Sequence, residues 1–122
     1  MADEEMSQQL QDQIGRFQQM QSQLQMIQQQ RQQIESRLHE IEEALDELEK
    51  ATEKTQIYKS IGSVLIKTKG KADVVKELKS SKESLDLRKS TLTTQEGRTK
   101  EKLSELQSKV QNAMQVSKSG NA

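Results

Sequence analysis

The one side chain in this chain that ordinarily titrates near neutrality is its single histidine, His39, set beside Leu38 in a run rich in acids. A general base needs a positioned partner and a substrate pocket, and neither is legible around it. The neighbouring Glu42, Glu43, Asp46, Glu47 and Glu49 read as the solvated face of a helix, because no cysteine or second histidine joins them as metal ligands. With no cysteine there is neither a disulfide nor a thiol nucleophile, and no glycine-rich phosphate loop is present. An enzyme is therefore not expected, nor a cofactor or metal. The side chains with a definable chemistry are apolar. Met6, Leu10, Ile14, Phe17 and Met20 gather near one terminus, and Leu103, Leu106, Val110 and Met114, with Val116, near the other. Methionine is flexible and polarizable and suits surfaces that accept many shapes. Flanked by neutral glutamine rather than dense charge, such groups would tolerate varied partners, provided that the two ends meet.

Whether they meet depends on the elements between. Columns at 10, 17, 24, 31, 38, 45 and 13, 20, 27, 34, 41, 48 alternate by three and four, and ten of these twelve positions are apolar. That is a coiled-coil seam over the first arm. Arg31 interrupts one column and Gln13 the other. The second arm carries Leu78, Leu85, Leu92, Thr99, Leu106 and Ala113 in one column. Its companion column, Val75, Lys82, Lys89, Glu96, Leu103 and Val110, is apolar only at its two ends. Between the arms the period changes. Ile57, Tyr58, Ile61, Val64, Leu65 and Ile66 are strand-favouring types, and Gly62-Ser63 suits a two-residue hairpin turn with glycine first. In that register Ile61 faces Val64 and Lys59 faces Ile66.

The expected fold is mainly α: an antiparallel two-helix coiled-coil hairpin with one β-hairpin at the connection. The boundaries read as a helix over 1–52, the β-hairpin over 53–71, a helix over 72–117 and a disordered tail over 118–122. Folded back, partners' numbers add to about 123–126, which brings Met20 near Leu103–Leu106 and Arg31 near Leu92–Glu96, with an Arg31–Glu96 contact. Gly97 weakens the second helix locally.

Composition agrees with this plan. Of 122 residues, 30% are hydrophobic and 31% charged, with one Phe, one Tyr, no Trp and no Pro. A thick globular core is out of reach, whereas a two-helix seam needs only two apolar positions in seven. Net charge is zero but unevenly divided: residues 1–51 hold 4 Lys/Arg and 11 Asp/Glu, and residues 52–122 hold 15 and 8. An acidic arm followed by a basic one favours antiparallel pairing, with modest energy per exposed pair. The lysines of the second arm are dispersed among acids with no aromatic residues between them, so nucleic acid is not an expected partner. No apolar run approaches a membrane span and the acidic N-terminus lacks a signal-peptide core, so a cytoplasmic protein with no membrane partner is expected.

A lone two-stranded ribbon is marginal in water, and its open edges invite pairing with another chain. Cross-chain pairing of hairpins into a sheet or small barrel would resolve both problems, so the hairpin is expected to be an oligomerisation element. The run Ile57-Tyr-Lys-Ser-Ile-Gly-Ser-Val-Leu-Ile-Lys67, followed by Lys76-Glu-Leu78 and Leu85-Asp-Leu-Arg88, resembles prefoldin, specifically the β-type subunit of archaeal prefoldin, over nearly the whole chain. The resemblance implies a hexamer of two α-type and four β-type subunits with a double β-barrel platform, from which coiled coils hang. Their tips would hold unfolded client proteins without ATP and transfer them to a group II chaperonin. An alternative function is a structural coiled-coil tether or adaptor that recognises one native partner.

Overall fold

The computed structural model describes the backbone over residues 2–120 and side chains over residues 7–116. Helix α1 spans Ala2–Glu49, strands β1 and β2 span Tyr58–Ile61 and Val64–Lys67, and helix α2 spans Lys71–Gly120. The chain divides into two compact units. Unit 1 is Met1–Arg31 with Leu92–Ala122, and unit 2 is Gln32–Thr91.

In unit 2 the arms pair antiparallel, as the sequence requires. Glu42 meets Lys82 at 3.6 Å and Glu35 meets Lys89 at 3.9 Å, so partners descend one helix as they climb the other. Ile34, Leu38 and Ile41 are buried, all three drawn from the apolar columns of α1. Their burial is the main favourable term, since each large apolar side chain removed from water contributes about 1.5–3 kcal/mol. Helix α1 closes by tightening, with the amides of Lys50 and Ala51 each bonding the carbonyl three residues back at 3.1 Å. Thr52 and Thr55 then turn the chain, Thr55 accepting from the Thr52 amide at 3.0 Å. Lys71 donates to the Ala51 carbonyl at 2.9 Å and ties the start of α2 to the end of α1.

Strands β1 and β2 form a two-stranded antiparallel sheet in which Ile61 faces Val64 and Lys59 faces Ile66. Gly62 has φ 59° while Ser63 keeps a negative φ, the pattern of a turn with glycine first. The register of the whole hairpin follows from that turn. Thr68 extends the pairing by donating its amide and its hydroxyl to the Ile57 carbonyl, at 2.9 and 2.8 Å. Gly70, at φ 130°, turns the chain into α2 and its carbonyl accepts the first helical bond, from Val74 at 3.2 Å. Asp73 lies in the first turn, where the helix dipole favours a negative charge.

In unit 1 the paired helices bury Leu92 and, beside it, the carboxylate of Glu96. Arg31 donates to Glu96 through Nε at 2.6 Å and Nη2 at 3.5 Å. Gln28 adds a 3.3 Å bond from α1, and Lys100 approaches from one turn along α2 at 3.3 Å. Two of the polar seam positions, Arg31 on α1 and Glu96 on α2, thus find each other. The companion column of α2, apolar only at its ends, is half-buried or buried along its length because Lys82, Lys89 and Glu96 each reach an oppositely charged partner on α1.

Boundaries differ from the sequence expectation at three places. The first helix ends at Glu49 rather than residue 52, because the tightened last turn and the Thr52–Thr55 turn take over. The second begins at Lys71. It also continues to Gly120 rather than ending at residue 117, since Ser117-Lys118-Ser119 holds no proline to break the ladder. The remainder of the expected disordered tail, residues 121–122, lies outside the described residues.

Two measurements probe this frame. The Arg31 hydrogen bond holds the Glu96 carboxyl below its ordinary range; partial burial opposes this, and Gln28 and Lys100 reinforce it. A depressed folded-state pKa gives stability that is fully present above the unfolded value, about 4.3 for glutamate, and lost as pH falls through the folded value. Glu96→Gln should therefore flatten the loss of Tm on acidification below that value. Superimposable profiles would show that Glu96 is not linked to folding. Gly97 lies inside α2 with open space where a Cβ would be. Gly97→Ala should stabilise the helix by about 0.8–1 kcal/mol, read as a higher Tm with unchanged helix content by circular dichroism.

Candidate functional site

Two apolar surfaces stand out, one in each unit. In unit 2 the hairpin turns both faces to solvent. Leu65 is 70% exposed, and Tyr58, Ile61, Val64 and Ile66 about half. The pleat puts Ile57, Ile61, Val64 and Ile66 on one face with Lys59, and Tyr58 and Leu65 on the other. Of the six hairpin residues expected to serve assembly, Ile57 alone is half-buried. It lines a cavity of about 170 Å³ with Ile41, Val74 and Leu78 beneath the hairpin. Lys59 reaches Glu77 at 2.6 Å and pins the base of the hairpin to α2. The tip of the hairpin has no such tie among the described residues, and each strand keeps an open edge. The helices of the same chain therefore cover the base of the ribbon and leave the rest uncovered.

In unit 1 the pairing of α1 with α2 brings the two termini's apolar residues onto one stretch of seam. Leu10, Ile14, Phe17 and Met20 of α1 and Leu103, Leu106 and Val110 of α2 are half-buried, while Met114 and Val116 are exposed. Met20 and Leu106 line one groove and Leu24 and Leu103 another, in the expected register. The side chain of Met6 lies outside the described residues. Partial cover is the physical consequence of having only two helices. Each seam side chain meets one opposing helix and lacks the further walls of a globular core.

Two exposed apolar residues escaped the sequence reading: Met26 at 61% and Leu87 at 67%. Both fall outside the three-and-four columns, and an apolar residue off the column is the signal that marks them. His39 pairs with Glu43 one turn away at 3.0 Å on an exposed face, so its neighbourhood is an ordinary helical surface. Among the described residues, no group of three or more His, Cys, Asp or Glu side chains is placed to hold a metal. Nor is any described helix long and apolar enough to cross a membrane.

Two long helices joined by one short antiparallel hairpin define a coiled-coil hairpin protein, and comparison with known proteins places it. The profile of the family described as "Prefoldin subunit" matches residues 11–117. The chain is 50% identical over 111 residues to the prefoldin subunit beta of Methanobrevibacter smithii, covering 91% of this chain and 95% of that protein. It is 42% identical over 110 residues to that of Archaeoglobus fulgidus, covering 90% and 94%. The crystal structure of the prefoldin beta subunit from Thermococcus strain KS-1 superimposes with a TM-score of 0.76 at 38% identity, over 86% of this chain and 91% of that one. The chain belongs to the prefoldin family, among its β-type subunits.

Proposed function

We propose that this chain is the β-type subunit of a cytoplasmic hexamer of two α-type and four β-type subunits. The hexamer holds unfolded proteins without ATP and passes them to a group II chaperonin. The hairpins are the assembly element, pairing across subunits into a β-barrel platform. Tyr58, Ile61, Val64, Leu65 and Ile66 supply its apolar contacts, and Ile57 seats each hairpin on its own helices. The observation that carries this part is the hairpin's exposure on both faces together with its two open edges. Unpaired backbone groups and uncovered β-branched side chains are both relieved by strand pairing with a neighbour.

The client surface is the unit 1 seam, its half-covered Leu10, Ile14, Phe17, Met20, Leu103, Leu106 and Val110 with the exposed Met114; Met6, whose side chain lies outside the described residues, is proposed to belong to it. A partly buried side chain yields less than the about 1.5–3 kcal/mol of full burial, so one arm holds a client weakly. Several arms around one client raise the effective concentration and with it the affinity. This combination holds a chain firmly overall while each contact stays easy to release, which suits a handover that uses no nucleotide.

Replacing both Ile61 and Val64 with Asp should lower the assembled mass in light scattering while helical circular dichroism persists. An unchanged mass would remove the hairpin from assembly. Deleting Met1–Met20 and Ser104–Ala122 together should leave the oligomer intact and abolish its protection of several unrelated denatured proteins from aggregation. The milder pair Phe17→Ser and Met114→Ser should weaken protection in part. Undiminished protection by the truncated oligomer would move the client surface to the platform. Protection of a single protein only would favour a dedicated adaptor.

A further inference from the structure

Among the described residues of unit 1, two grooves share apolar lining and differ in charge. One, lined by Leu24 and Leu103, is edged by neutral glutamine and serine side chains. The other, of about 280 Å³, is lined by Met20 and Leu106 together with Arg16, Lys102 and Lys109, with Glu105 as its only acid. Some lysines of the chain reach carboxylates, as Lys59 does Glu77 and Lys100 does Glu96, while others, such as Lys67 and Lys76, take part in no ion pair among the described residues. Among the described residues, Arg16, Lys102 and Lys109 take part in no ion pair. Three cations and one acid thus share a groove with two large apolar side chains, and the cations come from both helices.

From this arrangement we infer that the groove selects unfolded segments in which a large apolar side chain is flanked by aspartate or glutamate. The inference rests on the reading of unit 1 as the client surface and names the client chemistry that this surface prefers. The apolar side chain covers Met20 and Leu106 while the flanking carboxylates reach the cations. Lysine and arginine stems are long and can follow carboxylates at varied spacing, so the preference tolerates many sequences. Each exposed pair is weak, and three together amount to a several-fold bias. Charge complementarity also speeds encounter, which favours capture of acidic segments as they emerge unfolded. Lysine-flanked segments meet repulsion from the same three residues, so the groove discriminates by both attraction and repulsion.

Three fluorescent peptides with the same apolar residues, flanked by glutamate, serine or lysine, test this by anisotropy on the assembled, full-length protein. At about 0.05 M salt the glutamate peptide should bind about fivefold to tenfold more tightly than the lysine peptide. The difference should vanish near 1 M, where screening shortens the reach of charge to about 3 Å. The triple variant Arg16→Gln, Lys102→Gln, Lys109→Gln should bring the glutamate peptide to the affinity of the serine peptide. Equal binding of all three peptides to the wild-type protein would overturn the charge preference and leave the client-holding reading standing. Failure of all three to bind, with full protection by the tip-truncated oligomer, would overturn both.

Discussion

Two helices can cover each other on one side only, and that constraint governs this protein. Ile34, Leu38, Ile41 and Leu92 are the only buried apolar residues among those described, while most other seam residues are half-covered. A globular domain would treat such partial cover as a defect. In a chaperone subunit it leaves apolar surface available, held in place by helices whose backbone hydrogen bonds are satisfied within themselves. The hairpin faces the same constraint more severely, since two strands cannot bury both faces of a sheet. The cavity above Ile41, Val74 and Leu78 accommodates its base, and the rest stays open to solvent in the single chain.

The polar members of the seam shape how the helices pair. Glu96 sits at a position that a longer apolar column would have filled with leucine, and its carboxylate is matched by Arg31 and Gln28 from α1. A buried charge of this kind contributes little to stability against a well-packed apolar alternative. It is costly to leave unmatched, however, so a shift of one heptad between the helices would strand the Glu96 carboxylate and Arg31 guanidinium. Lys82 with Glu42 and Lys89 with Glu35 follow the same register in the other unit, at distances that mark looser pairs. An Arg–Glu pair at one seam level and lysine pairs at others together make the antiparallel alignment specific where the apolar columns alone are repetitive.

Some of the site could be read directly from the residues and some could not. The hairpin was legible to the level of individual pairs, because Gly62-Ser63 dictates the turn and a two-residue turn dictates the register. The gathering of both termini's apolar residues was legible because antiparallel pairing follows from a short connection. That Ile57 belongs beneath the hairpin while Leu65 stands free was not legible, because both are apolar strand residues and only the position of the helices distinguishes the covered end from the open one. The exposure of Met26 and Leu87 is not legible in the heptad columns, because both lie outside them.

The sequence by itself determined the two helices, the single hairpin between them, the antiparallel register and the Arg31–Glu96 partnership. Heptad period, turn chemistry and charge at seam positions are properties of neighbouring residues, and they act before the chain is folded. Tertiary structure decided how much of each apolar side chain stays open to water. It also decided which charges share a groove with which apolar side chains, bringing Arg16 of α1 beside Lys102 and Lys109 of α2 on one groove and leaving another edged by neutral groups. Those outcomes depend on which faces of two helices meet across a seam, and residues so far apart in the chain become neighbours only when the arms have closed.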